Sequence, residues 1–389
     1  MRILFLNHNV GWRGGTFFRA YQFARHLAGR GHRVTLMTIS QSRRVGCDRE
    51  VREGVEMIYT PDLLWGVGRT GWDPWDTLVR CLLVRREAWD IVHAWDCRPA
   101  VILPAIRAAR RGHAAGTRLV LDWCDWWGGG GTQRERRGLA QRAMAPLETW
   151  FEEAFRTRAD ASTVISRALL DRAIKLGVAT ETIHLLPQGC DVTGAHISRE
   201  AARARLGLRD DANVLIGIGT LIKSDAALLF DSLALLFARF PDCRFFLIGN
   251  HRAQVPAAIR QSRQFTETGF VSEETLRDYM QACDGLLTPL ADTLAGRARW
   301  PSKVNPLLAM GRAVILTRVG DLPVLLDEAG AALVARCDPA DVVEKAGLLF
   351  ASPGLREAYE GRARQVARDV LAWPRLTEQL EQIYVTCQT

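Results

Sequence analysis

Residues Cys283–Leu316 read CDGLLTPLADTLAGRARWPSKVNPLLAMGRAVIL, and the fold follows from them. Cys283 to Pro289 is a short apolar run entering a loop, the pattern of a buried strand. Asp292 to Trp300 is polar and basic. Pro301 is placed to open a helix, since proline fits the first helical turn. Gly311 closes it, and Ala313–Leu316 is the next buried strand. Strand, loop, helix and strand in this order make a parallel βαβ unit. Ser302 and Lys303 then sit at a helix N-terminus on the carboxyl edge of a sheet. Unpaired N–H groups and a partial positive charge there suit a phosphate, and ligands of α/β sheets bind at this edge.

The chain has 389 residues, enough for two α/β domains, and its 48% hydrophobic and 24% charged content is that of a globular enzyme. No apolar run reaches transmembrane length. The opening MRILFLNHN has a strand pattern and no signal-peptide core. The nine cysteines form no C-x-x-C pair, which argues against a zinc site and a disulfide framework and makes a reducing cytoplasm the expectation.

Charge is uneven. Residues 1–195 hold 28 Lys+Arg against 20 Asp+Glu, whereas residues 196–389 hold 23 of each. Ten of the 12 tryptophans also lie in the first half. Basic residues with tryptophan suit an anionic membrane surface or a phosphorylated acceptor. A solvated basic face over a tryptophan-rich core is the plainer alternative. No nucleic-acid-binding motif accompanies the charge. Only four basic residues are lysine: Lys175, Lys223, Lys303 and Lys345. Against so much arginine, a lysine beside a helix start marks a place where a compact charge is wanted.

In the first half, strand Arg2–Asn7 runs into the glycine turn Gly11–Thr16, then an amphipathic helix to about Arg30 and a second strand at Arg33–Thr38. This is a Rossmann-like opening, but without a full G-x-G-x-x-G a dinucleotide cofactor is not supported. Asp62–Arg86 carries Trp65, Trp72, Trp75, Arg69, Arg80, Arg85 and Arg86 and reads as a loop leading into a short helix. His93 closes a short strand. After strand Arg118–Asp122 come Trp123-Cys124-Asp125-Trp126-Trp127 and the glycines Gly128–Gly131. Asp122 or Asp125 is suited to contact a ligand hydroxyl, and Trp126 and Trp127 to stack on a sugar or lipid. The bland reading has Asp125 capping the loop and the tryptophans in the core. In the second half, Val214–Gly219 is a strand, Lys223 precedes an amphipathic helix from about Asp225 to Phe240, and Thr266–Val271 follows the strand Cys243–Gly249.

Pro301-Ser302-Lys303-Val304-Asn305-Pro306-Leu307-Leu308-Ala309-Met310-Gly311-Arg312-Ala313-Val314-Ile315 resembles the donor-binding segment of GT-B glycosyltransferases, especially glycosyltransferase family 4. Ala159–Ser166 and Ile183–Asp191 match two further landmarks of that family in the right order, and the likeness extends over nearly the whole chain. It implies two Rossmann-like domains facing across a cleft: 1–193 on the acceptor side, 194–370 on the donor side, and a tail 371–389 crossing back. It implies sugar transfer from a nucleotide-sugar, retaining and without metal or other cofactor. Donor contacts are then expected from Gly14, Gly15, Thr220, Lys223, Phe270, Arg297, Ser302, Lys303 and Asn305. Asp125 and Asp122 become catalytic candidates, and His93, Trp126 and Trp127 acceptor-side residues. The acceptor itself is open, lipid-linked or aromatic, with peripheral contact of the basic first domain at the inner membrane face. One departure matters. The two acids of the family's E-x7-E motif fall on Ala298 and Pro306. An inactive homologue serving as a partner subunit or sugar-binding module, or a nucleotide-sugar epimerase, therefore stands as the alternative.

Overall fold

The computed structural model describes residues 1–64, 70–135, 138–192, 197–219, 221–249 and 255–388. Trp65, Arg69 and Thr220 lie outside the described residues. The chain divides into two compact units, Met1–Gln188 with Trp373–Thr389, and Gly189–Ala372.

In chain order the first unit contains β1 (Arg2–Val10), α1 (Gly15–Gly29), β2 (Arg33–Ile39), β3 (Asp48–Arg52), β4 (Val55–Thr60), α2 (Pro74–Leu83) and β5 (Ile91–Ala94). It continues with α3 (Pro99–Gly112), β6 (Arg118–Trp123), α4 (Leu139–Glu153), β7 (Ala161–Val164), α5 (Arg167–Lys175) and β8 (Ile183–Leu185). The second unit contains α6 (Arg199–Arg205), β9 (Asn213–Ile218), α7 (Lys223–Arg239), β10 (Cys243–Ile248), α8 (Ala257–Gln261), β11 (Phe265–Gly269), α9 (Glu273–Ala282) and β12 (Gly285–Thr288). Then follow α10 (Leu294–Ala298), α11 (Val304–Ala309), β13 (Ala313–Thr317), α12 (Asp321–Glu328), β14 (Leu333–Ala335), α13 (Pro339–Ala351) and α14 (Pro353–Asp369). The last helix, α15 (Trp373–Gln388), belongs to the first unit.

The first sheet has the order β3-β4-β2-β1-β5-β6-β7-β8 and is parallel except for the β3–β4 hairpin. Strand order reverses between β1 and β5. The second sheet runs β11-β10-β9-β12-β13-β14, all parallel, and reverses between β9 and β12. Such reversal points open a crevice at the carboxyl ends of the strands.

Local chemistry accounts for most boundaries. Asp73 caps α2, accepting from Trp75 N at 2.7 Å and Asp76 N at 3.3 Å, with Pro74 in the first turn. Ser166 caps α5 and Ser352 caps α14. The β3–β4 turn places Glu53 and Gly54 at φ 48° and 80°, the positive values that a tight hairpin requires. Two elements differ from the sequence expectation. The helix expected to open at Pro301 begins at Val304, with Lys303 as its cap residue and Ser302 in the preceding turn. The stretch read as loop between Asp292 and Trp300 contains α10, started by Thr293, whose hydroxyl accepts from Gly296 N at 2.9 Å.

Alternation along β1 sends Ile3 and Phe5 to one face of the first sheet and Leu4 and Leu6 to the other. α1 and α15 cover the first face: Phe17, Phe23, Trp373, Leu376, Leu380 and Tyr384 bury there. Phe23 meets Trp373 edge-on with centroids 5.1 Å apart. α3 covers the other face with Val101, Ile102 and Ala105. Leu380 is fully buried, so Leu380→Ala is expected to cost about 2–5 kcal/mol in denaturant unfolding. A loss below about 1 kcal/mol would mean that α15 is not part of this core.

Candidate donor and acceptor sites at the sheet edges

In the second unit, β9 is followed by Gly219, whose φ is 101°. The Lys303 side chain crosses this glycine: a Cβ built there would lie 3.7 Å from Lys303 Cγ and 3.9 Å from Cε. Lys303 therefore lies beside the end of β9, on the segment that follows β12, at the strand-order reversal. Lys223 is the first residue of the 17-residue α7, whose N-cap Ile222 offers no side-chain cap. It belongs to the helix rather than to the loop before it. Both lysines are exposed, and neither makes an ion pair among the described residues.

The neighbouring arginines are committed elsewhere. Arg297 grips Asp292 with Nε and Nη2 at 2.5 and 2.9 Å. Arg299 donates to Asp225 at 2.5 Å, and the other oxygen of Asp225 accepts from Ala291 N at 2.9 Å. This pair fastens the loop after β12 to the first turn of α7. Phe270 follows β11 and is 87% exposed. Asn305, expected on the donor, is completely buried. Its amide nitrogen donates to Gly189 O at 3.1 Å and its oxygen accepts from Trp300 Nε1 at 2.9 Å. Its place is structural, holding α11 to the start of the unit. Ser302 is half-buried. Ala298 is buried in α10, and Pro306 is exposed on α11.

In the first unit, Gly14 and Gly15 are exposed at the start of α1. Gly14 has φ 88°, and a Cβ there would strike Asn9 Nδ2 at 2.6 Å, so only glycine fits. α1 has no side-chain cap and no acid in its first turn, leaving its first N–H groups to other acceptors. Asp125 is exposed just beyond β6, and Trp126 is half-buried with the Arg172 guanidinium 4.2 Å from its ring centroid.

Three expected site residues are instead interior. Asp122 is fully buried beside Arg19, with Nη2 to Oδ1 at 3.3 Å. Thr163 Oγ1 donates to the same oxygen at 2.6 Å, and the Cys124 thiol donates to the other. Burial opposes its charge, but Arg19 and these hydrogen bonds prevail and hold its pKa below the ordinary carboxylate value. Asp122 is a core anchor and is not available to an acceptor. His93 is fully buried on β5, its Nδ1 2.7 Å from the Tyr384 hydroxyl on α15. Burial, with Arg19 adding to it against Asp122, lowers its pKa to about 3. His93 is a packing residue, as is Trp127, which is buried against Arg98. Arg80 likewise serves the core, bonded to Asp76 at 2.8 Å and to Asn7 O at 2.7 Å.

One cluster had no sequence signal. His8 at the end of β1 lies 3.3 Å from Asp96 beyond β5, with Arg98 beside Asp96 at 3.6 Å. Burial first, then Arg98, lowers the His8 pKa to about 3. A lone His in a strand and an acid 88 positions later become partners only through the β1–β5 pairing. Among the described residues no group of three His, Cys, Asp or Glu is placed to hold a metal ion. No described helix is long and apolar enough to cross a membrane.

Two predictions come from these geometries. His8 and His93 are neutral in the fold with pKa about 3, against an ordinary 6.5. The unfolded chain takes up protons that the native one refuses as pH falls below 6.5, so their stabilisation is present above 6.5 and lost below it. Each costs about 1.4 kcal/mol per pH unit. His93→Gln should flatten the fall of stability between neutral pH and about pH 5 by that amount per unit; an unchanged slope would contradict a neutral buried His93. Asp122→Asn leaves Arg19 uncompensated and is expected to cost about 3–5 kcal/mol of stability, whereas Asp125→Asn should unfold like the wild type. Equal unfolding of the two variants would overturn the division of their roles.

Comparison with known proteins agrees with the two-unit architecture. The model of Glycosyltransferase Family 4 matches residues 13–193, and that of Glycosyl transferases group 1 matches residues 212–352. No curated protein matches the sequence. Sucrose-phosphate synthase from Thermosynechococcus elongatus superposes with TM-score 0.74 at 16% identity, covering 99% of this chain and 98% of that one. HepE of Anabaena, solved with UDP and glucose, gives 0.69 at 15% identity and 98% of each chain. The catalytic domain of starch synthase IV from Arabidopsis thaliana, bound to ADP and acarbose, gives 0.70 at 12%, covering 100% of this chain and 99% of that one. At these identities the likeness is one of fold, the GT-B fold. With both units matched by family models, the chain belongs to the group 1, family 4 type of nucleotide-sugar-dependent glycosyltransferases.

Proposed function

We propose that the second unit binds the nucleotide-sugar and the first unit the acceptor, and that the sugar is transferred with retention of configuration and without a resident metal. The observation carrying this reading is the pair of uncommitted lysines at the strand-order reversal of the second sheet. Lys303 lies over Gly219 just beyond β9, and Lys223 starts α7. Two compact positive charges and the free N–H groups of a long helix are suited to a diphosphate. They lower the barrier by stabilising charge that builds on the leaving phosphate. In this reading Ser302 completes the phosphate contacts, and Arg297 reaches them by exchanging its Asp292 partner.

Phe270 supports a nucleoside position at the end of β11. A phenyl ring 87% exposed is poorly placed in water and well placed under a base or ribose. The E-x7-E acids are absent, so the ribose lacks its usual carboxylate grip and aromatic contact carries more of the binding. Asp125 is the acid placed to meet an acceptor hydroxyl, with Trp126 beside it. The basic, tryptophan-rich first unit supports an acceptor that is lipid-linked or aromatic, used by a cytoplasmic protein at a membrane surface. A second reading, a GT-B protein that binds nucleotide or sugar without transfer, is favoured by Ala298 and Pro306 alone.

The test is binding of UDP, GDP, ADP and TDP, followed by thermal shift and titration. One nucleotide should bind selectively. A hydrogen bond to a charged group contributes about 1.5–3 kcal/mol, so Lys303→Ala and Lys223→Ala should each weaken it about 10- to 100-fold. The melting temperature without nucleotide should stay unchanged. Affinity unaltered in both variants would remove the lysines from the diphosphate site.

A further inference from the structure

Helices α2, α3 and α4 cover one face of the first sheet. α2 packs on α3, and Val84, Phe151 and Phe155 join Val101 and Ile102 in one apolar cluster. The outward side of this layer carries Leu78 and Leu82 on α2, Leu103 on α3, and Leu147 and Trp150 on α4, each between 39% and 53% exposed. Trp150 meets Phe151 and Phe155 edge-on at 4.9 and 5.3 Å but keeps half of its surface in water, and the leucines beside it are likewise half exposed.

Arginine dominates the charge here, and Glu87 beside Arg86 is paired with Arg33 at 3.1 Å. Arg85 and Arg86, just beyond α2, and Arg107, Arg110 and Arg111 of α3 are exposed, and none makes an ion pair among the described residues. The acids of these helices are engaged or interior. Asp76 is buried against Arg80 at 2.8 Å, Glu148 and Glu152 are buried, and Glu153 pairs with Arg172. α3 contains no acid. Arg110 also borders an open pocket of about 500 Å³, shared with Ile106, Ala109 and Arg158. Its one acid, Asp160, accepts from Leu119 N at 2.7 Å and lies 3.8 Å from Arg118.

We propose that this helical layer is a docking surface for an anionic lipid bilayer. The arginines meet headgroup phosphates, the pocket at Arg110 seats one of them, and the leucines and Trp150 enter between headgroups. The pattern favours lipid over a protein partner. The core of a protein interface is depleted of charge, whereas here five exposed arginines without ion pairs among the described residues accompany the apolar side chains, a charge matched to anionic headgroups. At a bilayer the apolar side chains reach the acyl boundary while long basic side chains keep their charges at headgroup level. The proposal deepens the reading of a membrane-borne acceptor and does not depend on the donor site.

The experiment is co-sedimentation of the full chain with vesicles of phosphatidylcholine alone and of phosphatidylcholine mixed with phosphatidylglycerol. Binding is expected only to the anionic vesicles and should weaken at high salt. Arg85→Glu/Arg107→Glu/Arg110→Glu should lower the partition coefficient on the order of 100-fold. Leu78→Ser/Leu82→Ser should lower it on the order of 10-fold. A charge-matched control in the second unit, Arg209→Glu/Arg239→Glu/Arg263→Glu, should bind as the wild type does. All variants should melt as the wild type does and bind nucleotide equally, which separates failure here from failure of the donor reading. Equal sedimentation with neutral vesicles, retention by the triple variant, or equal loss in the control would overturn the proposal.

Discussion

The buried ion pair of Arg19 and Asp122 joins the parts of the first unit that must keep fixed positions. Arg19 projects from α1, and beyond Asp122 on β6 it donates to Leu186 O and Pro187 O, both at 2.7 Å. One guanidinium thus binds the helix behind the glycine turn, the strand that leads to Asp125, and the chain leaving β8. Burial disfavours both charges, and each is held by the other and by further hydrogen bonds. An arrangement of this kind contributes little net stability against apolar packing but is costly to break. What it fixes is geometry: the start of α1 and the end of β6 cannot shift independently. His93 and Tyr384 extend the same network to α15, so the returning helix is part of the unit's interior order.

The second unit has a different economy of charge. The arginines next to its sheet edge are bound to acids, Arg299 to Asp225 and Arg297 to Asp292, and these pairs shape the loop between β12 and α11. The two lysines at the edge are left uncommitted. Arginine, planar and bidentate, serves well as a fixed brace, whereas lysine offers a compact charge that adapts to a phosphate. The division follows from the chemistry of the two side chains. It also leaves a positive edge on a unit that lacks both E-x7-E acids.

Much of the fold was legible because its cues are local. Gly14 can only be glycine where φ is 88°, Asp73-Pro74 starts a helix, and apolar runs of four to six residues mark buried strands. The lysines were legible for the same reason, being rare residues beside helix starts. Which residues are interior was not. His93 ends a strand in the sequence, but α15 arrives 291 positions later to bury it. Asp122 and Asp125 look equivalent in LDWCDWW, yet one points inward at Arg19 and the other lies exposed beyond the strand. Asn305 sits between the donor motif's residues and is drawn inward by Gly189. The His8–Asp96–Arg98 cluster exists only because β1 pairs with β5. Propensity and motif gave the frame, and long-range packing decided which polar groups remained free.

The most direct measurement is release of nucleoside diphosphate from nucleotide-sugars by the purified protein, with water standing in for the acceptor. Slow release is expected from donors of one nucleotide, and none in a Lys223→Ala/Lys303→Ala double variant that remains folded. A folded wild-type protein that binds the nucleotide but never cleaves any donor, even with membrane lipids supplied, would contradict this expectation.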